Sequence, residues 1–290
     1  MTENKNVKGS EPLYSRAYVE ITNICNKNCS FCPGTRRRPH SMTMEEFTAV
    51  CAQLQGVTKY HYFHIMGEPT LHPLLPEFIR QAFSMGFKVA ITTNGSLLDK
   101  RGDELIASGV YKVNVSVHSF EDGSTEDYLH YLQSCYDFAA KASEAGVLCI
   151  LRLWNKGGDE HLNARTEELL HETFPQEWVI GKRGARLHDK LHLEYGERFE
   201  WPDMTAQNYG DEVFCYGLKD HFGILCDGTV VPCCLDHEGD IPLGNVHQQP
   251  LKDILKSPRA LAMREGFTRR KACEELCRRC GYARRFSINK

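Results

Sequence analysis

Cys25, Cys29 and Cys32 stand in the run ICNKNCSFC, a C-x3-C-x2-C spacing close to the start of the chain. Three thiolates from one short loop can wrap an iron–sulfur cube and leave one of its four irons without a protein ligand. An iron left open in that way is a site of reaction. A zinc loop is the alternative; structural zinc asks for a fourth ligand, and His40 is the nearest downstream candidate. A second group of thiols, Cys215, Cys226, Cys233, Cys234, Cys273, Cys277 and Cys280, falls in the last 76 residues. Two thiols from each of two separate segments would supply all four ligands and close a cluster. A closed cluster moves electrons or holds structure, and a zinc ribbon could use the same donors.

The thirteen cysteines sit in a chain of 290 residues, long enough to bury a core without disulfide staples. No apolar run approaches the roughly 18 residues that span a bilayer. The opening MTENKNVKGS lacks the apolar centre of a secretion signal. A cytoplasmic, reducing setting is therefore expected, where an odd number of cysteines points to metal ligation or catalysis. A formal charge of −3 gives no sequence-wide argument for a nucleic-acid or membrane partner. On the same ground the basic runs Arg36–Arg38, Arg269–Lys271 and Arg284–Arg285 read as solvated faces. Cys51, Cys135 and Cys149 lie among apolar neighbours and read as core.

The elements that must position these groups follow one pattern from Tyr14 to Trp154. A helical stretch ends on Gly56, Gly86, Gly109 or Gly146, and a β-branched or aromatic run follows. The runs are 60–66, 88–93, 113–117 and 148–154, after an opening strand at 17–21. Thr43 and Glu46 have capping-box spacing, and Phe47, Val50, Cys51 and Leu54 make one helical face. A helix near 160–173 and a weaker strand near 191–199 complete about six βα units. The expectation is a partial (β/α)6 TIM-like barrel over 14–201, short of the eight units of a closed barrel. A small cysteine-rich domain, 202–290, follows, with a hairpin about Asp227-Gly228 and a helix over 251–264.

The C-x3-C-x2-C loop after the first strand, with Phe31 before its last cysteine, resembles the motif of the radical S-adenosylmethionine (SAM) superfamily. Further matches occur in order at successive strand ends. Met66-Gly67-Glu68-Pro69 is similar to the segment that meets the SAM amino group, with Met66 in place of a glycine. Asn94 ends the third strand, Ser116 and His118 the fourth, where the ribose is usually held, and Arg152 lies on the fifth, where a SAM carboxylate contact is common. An acid is frequent at the position of His118. The tail resembles the SPASM/twitch extensions of that superfamily through CYG at Cys215, DGTVVPC ending at Cys233, LGNV at 243–246 and the late C-x2-C. That resemblance implies Cys215, Cys233, Cys277 and Cys280 as ligands, with Cys226, Cys234 and Cys273 in reserve. The shorter twitch form with one auxiliary cluster fits the tail best, and its spacing is similar to that of a radical SAM dehydrogenase of an aminocyclitol alcohol.

The resemblance implies three cofactors: a SAM-binding [4Fe–4S] cluster, an auxiliary [4Fe–4S] cluster and SAM itself. The implied activity is reductive cleavage of SAM to a 5′-deoxyadenosyl radical, then hydrogen abstraction from a substrate C–H bond. A net oxidation with the auxiliary cluster as electron acceptor is the leading expectation. A peptide maturase that crosslinks or epimerises residues is the rival within the class, and a non-catalytic iron–sulfur or zinc protein the rival outside it. The substrate is then a small molecule or a peptide, and an electron donor such as flavodoxin or ferredoxin is required. Only 16 residues precede the first strand, which leaves no room there for a fused leader-binding domain. Glu194 and Arg198, between the two domains, are candidate acid–base groups.

Overall fold

The computed structural model describes residues 13–286. The N-terminal segment examined for a secretion signal and residues 287–290 of the tail lie outside it. Eleven strands form one sheet: β1 (Arg16–Val19), β2 (Tyr60–Phe63), β3 (Lys88–Thr93), β4 (Lys112–Ser116), β5 (Leu148–Lys156), β6 (Val179–Gly181), β7 (Gly184–Arg186), β8 (Leu191–Glu197), β9 (His221–Ile224), β10 (Thr229–Val231) and β11 (Gly244–Asn245). Their order is β11-β10-β9-β1-β2-β3-β4-β5-β8-β7-β6. β1 to β5 and β8 run parallel, giving the six barrel strands that the alternating pattern implies.

Helices α1 (Met44–Leu54), α2 (Leu75–Ser84), α3 (Leu98–Ala107), α4 (Thr125–Glu144) and α5 (Asn163–Thr173) connect those strands. The Thr43–Glu46 capping box forms at the start of α1, which buries Phe47, Val50, Cys51 and Leu54. Phe47 stacks on Phe78 of α2 at 4.1 Å, so the two helices share one apolar layer. Gly56, Gly86, Gly109 and Gly146 all take positive φ, the left-handed conformation that ends a helix cheaply only in glycine.

Three features depart from the sequence reading. The β6–β7 hairpin lies between α5 and β8 and pairs antiparallel to β8, adding an edge that no apolar periodicity announced. The helix expected over 251–264 divides into α6 (Leu251–Ile254) and α7 (Pro258–Thr268). Pro258 begins α7 under a Ser257 cap, because proline has no N–H to continue a preceding helix. The short α8 (Glu275–Arg278) follows and carries Cys277. Finally, Arg37 of the supposed solvated run turns inward, its guanidinium gripping the fully buried Glu20 carboxylate at 2.6 and 2.8 Å.

The tail is built into the barrel sheet, since β9 pairs parallel with β1 from Arg16↔His221 to Val19↔Ile224. Just past that pairing, Glu20 also accepts hydrogen bonds from the amides of Met66 at 3.1 Å and Cys226 at 3.0 Å. Arg37 Nε in turn donates to the His237 carbonyl at 2.8 Å. One carboxylate thus joins the strand before the first cysteine loop, the turn after β2 and the β9–β10 hairpin. Removing one partner from a buried, hydrogen-bonded ion pair costs about 3–5 kcal/mol. Arg37→Met should therefore lower unfolding free energy by about that amount in urea titrations, and a loss under ~1 kcal/mol would contradict the role given to this pair.

Candidate iron–sulfur and S-adenosylmethionine site

The first cysteine loop leaves the C-terminal end of β1, the barrel end where such folds place their chemistry. Asn23 ties the loop to its own return, donating to the Arg38 carbonyl and accepting from the His40 amide. His40 pairs with Glu46 at 3.2 Å and so belongs to the start of α1. A turn with Cys32 N donating to the Cys29 carbonyl at 3.0 Å sets the spacing of those two thiols. The turn after β2 presses against the same loop: Glu68 N donates to the Ile24 carbonyl at 2.9 Å. Gly67 has φ +77°, and a Cβ there would lie 2.3 Å from the Thr22 carbonyl oxygen, so only glycine permits this approach.

Glu68 is buried and its carboxylate accepts from the Thr70 amide and hydroxyl, the Thr93 hydroxyl and the Asn94 amide at 2.6–3.0 Å. Burial raises its pKa, against which those four donors favour the charged form. The acid thus fastens the ends of β2 and β3 together. Met66 is buried and off the cavity wall, and its amide serves Glu20. Asn94 reaches the loop, donating to Asn26 Oδ1 at 2.9 Å and lying 3.9 Å from Cys25 Sγ.

Ser116 ends β4, and His118 follows with Nδ1 2.9 Å from the Arg152 carbonyl and its ring 4.8 Å from that of Phe31. Burial lowers the His118 pKa, against the Arg152 carbonyl that favours the charged ring. Arg152 and Glu194, given separate roles above, face each other in the β5–β8 register, with Nε–Oε2 3.4 Å. The Arg152 guanidinium also lies 4.4 Å over the Trp154 ring. Arg198, exposed at the end of β8, points Nη2 at the Ser30 carbonyl at 3.5 Å.

The second group of thiols lies across the same space. Cys215 and Cys233 both flank Gly217, whose Cβ position is 3.4 Å from Cys215 Sγ and 3.6 Å from Cys233 Cβ. Burial raises the Cys233 and Cys277 thiols, and nearby thiols add to it: Cys215, Cys234, Cys280 and Cys277 at Cys233, and Cys215 and Cys280 at Cys277. Cys215, Cys233, Cys277 and Cys280 line one cavity wall, and so does the reserve thiol Cys234, which lies beside Tyr18. Of the other two in reserve, Cys226 is buried beside Arg37 at 3.7 Å, and Cys273 Sγ lies 3.4 Å from the Ala262 carbonyl, exposed. Cys51, Cys135 and Cys149 are fully buried in the core.

Both thiol groups open on one cavity of about 700 Å³. Burial pushes the Cys29 thiol up to about 12, with Glu121 and the neighbouring thiols adding to it, and the Cys280 thiol up to about 11. Thiols held that high ionise only against a compensating positive charge, which metal ions bring. Backbone amides already point at sulfur, Lys27 N at Cys25 Sγ (3.5 Å) and Gly217 N at Cys215 Sγ (3.3 Å), the donors that tune cluster thiolates. Among the described residues no three His, Cys, Asp or Glu side chains converge on a single ion.

Comparison with known proteins agrees with this geometry. Residues 19–154 match the family model of the radical SAM superfamily, and residues 215–281 match SPASM, an iron–sulfur cluster-binding domain. A GTP 3′,8-cyclase of Chlorobaculum tepidum is 33% identical over 231 residues, 71% of this chain and 68% of that protein. A tungsten-containing aldehyde ferredoxin oxidoreductase cofactor-modifying protein of Pyrococcus furiosus is 34% identical over 105 residues, 34% of this chain and 30% of that one. Among solved structures, BtrN in complex with AdoMet and 2-DOIA superposes with TM-score 0.60 at 19% identity, over 92% of this chain and 93% of its own. Streptococcus suis SuiB bound to S-adenosylmethionine gives TM-score 0.60 at 16% identity, over 87% of this chain and 68% of its own. Across that family these two segments serve a SAM-binding [4Fe–4S] cluster with SAM, and auxiliary cluster binding. The chain belongs to the radical SAM superfamily and carries a C-terminal SPASM domain.

Proposed function

We propose that the protein is a radical SAM oxidoreductase that removes hydrogen from a substrate held between its two thiol groups. The observation that carries this reading is the single cavity of about 700 Å³ on whose wall both groups open. With its clusters and SAM bound, the site supplies hydrogen-atom abstraction from a substrate C–H bond and a nearby electron acceptor. Cys25, Cys29 and Cys32 would hold the first cluster from residues 14–201; Cys215, Cys233, Cys277 and Cys280 would hold the second from residues 202–290. Asn94, Ser116, His118 and Phe31, at the ends of β3 and β4 and beside the loop, are placed to seat SAM. Gly67 and Glu68 act by fixing the loop, as their contacts describe. The Arg152–Glu194 pair and Arg198 face the substrate space, where Glu194 would take up the proton that oxidation releases.

The electron to start the reaction would come from a small redox protein such as flavodoxin or ferredoxin, in a reducing compartment such as the cytoplasm. Peptide maturation is the second reading, favoured by the fold shared with SuiB. Cyclisation of GTP is the third, favoured by the identity to the Chlorobaculum protein.

Anaerobic reconstitution should load about eight irons per chain, the content of two four-iron clusters, and no zinc. Incubation with SAM and reductant should then release 5′-deoxyadenosine, and release that persists in a Cys25→Ala, Cys29→Ala, Cys32→Ala variant would refute the assignment of the first site. Small hydroxylated metabolites, peptides and GTP, offered separately, distinguish the readings by mass together with chromatographic separation of isomers. Loss of two hydrogens from a small metabolite supports the oxidation, whereas a crosslinked or epimerised peptide or an isomeric GTP product would overturn it. Losing both Cys277 and Cys280 should reduce iron to about four per chain. The same loss should raise the ratio of 5′-deoxyadenosine to oxidised product at least tenfold; an unchanged ratio would remove the second cluster from the electron path.

A further inference from the structure

The barrel lumen carries a charge pattern that the roles above leave unused. Lys112 opens β4 four residues before Ser116, roughly 13 Å deeper in the barrel at about 3.3 Å per strand residue. Its side chain lines the cavity and has no hydrogen-bond or ion-pair partner among the described residues. Two further cations share that floor. Arg16 pairs with Asp220 at 2.9 Å and lies over the Tyr62 ring at 5.7 Å, and Arg152 pairs with Glu194. Arg16 and Arg152 each have a carboxylate at ion-pair distance, whereas Lys112 has none within 4 Å among the described residues, Glu194 acting on it only from farther away.

The neighbouring side chains offer donors rather than acceptors. Trp154 Nε1 is a buried donor without a hydrogen-bond partner, and Arg152 Nε faces the Glu194 carboxylate at 3.4 Å without a well-formed hydrogen bond. Asn114 Oδ1 is a buried acceptor without one, but Asn114 does not line the cavity. His64 stands among the three cations with Nδ1 3.2 Å from the Thr92 hydroxyl. Burial and the charges of Arg152, Lys112 and Arg16 push its pKa down to about 3, so it adds no charge of its own. Tyr18, Tyr62 and His64 pack edge to face at 5.1–5.8 Å and enclose the space with aromatic walls. Lys112 is half-buried, and an ammonium held among donors gains from an anion that joins it.

We propose that the barrel floor is a carboxylate-binding subsite, in which Lys112, flanked by Arg16 and Arg152, takes the single negative charge of an acidic substrate. This rests on the proposed oxidation and names its substrate class: a small hydroxylated acid, seated by its carboxylate at the floor with its reacting C–H toward the cysteine loop. One unpaired cation matches one carboxylate. A nucleoside triphosphate would bring several negative charges to a floor with one to offer.

The test is calorimetric titration of the reconstituted holoprotein with lactate, lactamide and inorganic phosphate, without SAM or reductant. It reads binding alone, so its outcome is independent of whether the chain oxidises anything. Lactate should bind at least tenfold more tightly than its neutral isostere lactamide, and Lys112→Met should bring lactate to the lactamide level while Lys112→Arg retains the preference. Equal affinity for lactate and lactamide, undiminished lactate binding by Lys112→Met, or a tenfold preference for phosphate would each overturn the proposal. If Lys112→Met does not fold, lactate protection of Lys112 in the natural chain against acetic anhydride, read by peptide mass, replaces it. Protection at least threefold stronger than lactamide gives supports the subsite, and equal modification overturns it.

Discussion

Glu20 is the point on which the arrangement of both thiol groups turns. Its two carboxylate oxygens, wholly removed from solvent, serve the Arg37 guanidinium and two amides that belong to otherwise separate pieces of chain. A buried carboxylate is tolerable only when its lone pairs are filled, so each partner is held as firmly as the charge is buried. The consequence is geometric: the loop of Cys25, Cys29 and Cys32, the turn carrying Gly67 and Glu68, and the hairpin between Cys226 and Cys233 are referenced to a single atom pair. In the proposed oxidation, two clusters exchanging electrons through a substrate would need a fixed separation, and this carboxylate offers a rigid reference for it.

Much of this was readable in the residues. The cysteine spacing, the glycines that end helices and the alternation of helix and strand are local signals, each produced by a few neighbouring residues, and each appeared where the sequence placed it. Register was a different matter. Arg152 and Glu194 look like independent site residues until β5 and β8 are aligned, because the pairing depends on how the β6–β7 insertion is accommodated. Glu20 and Arg37 were missed for the same reason. An acid near the end of a strand and an arginine in a basic run both look solvent-facing, and their partners lie 17 to 206 residues away. The β6 strand exposes every residue, so no buried face imposed a period on its sequence.

The same limit applies to function. Cysteine spacing and strand-end motifs carry the cofactor chemistry, which a superfamily shares, whereas the proposed substrate site draws on lumen positions. Those positions are scattered across β1, β2, β4, β5 and β8, and only the assembled barrel turns Arg16, Lys112, Arg152 and Glu194 into one electrostatic surface. A GTP 3′,8-cyclase relative and the SuiB and BtrN folds share the framework, which is why the framework alone selects no substrate among them.

The parallel pairing of β9 with β1 has a consequence for biogenesis. β1 begins at Arg16, yet its second neighbour begins only at His221. Until then the nascent barrel presents a row of unpaired backbone groups beside the cysteine loop, the kind of open edge that invites pairing with other chains. Closure of that edge brings Cys215, Cys226 and Cys233 to the barrel, with Cys277 and Cys280 still to follow in the chain. The four-thiol group can therefore be complete only after β9 has covered the edge beside the cysteine loop.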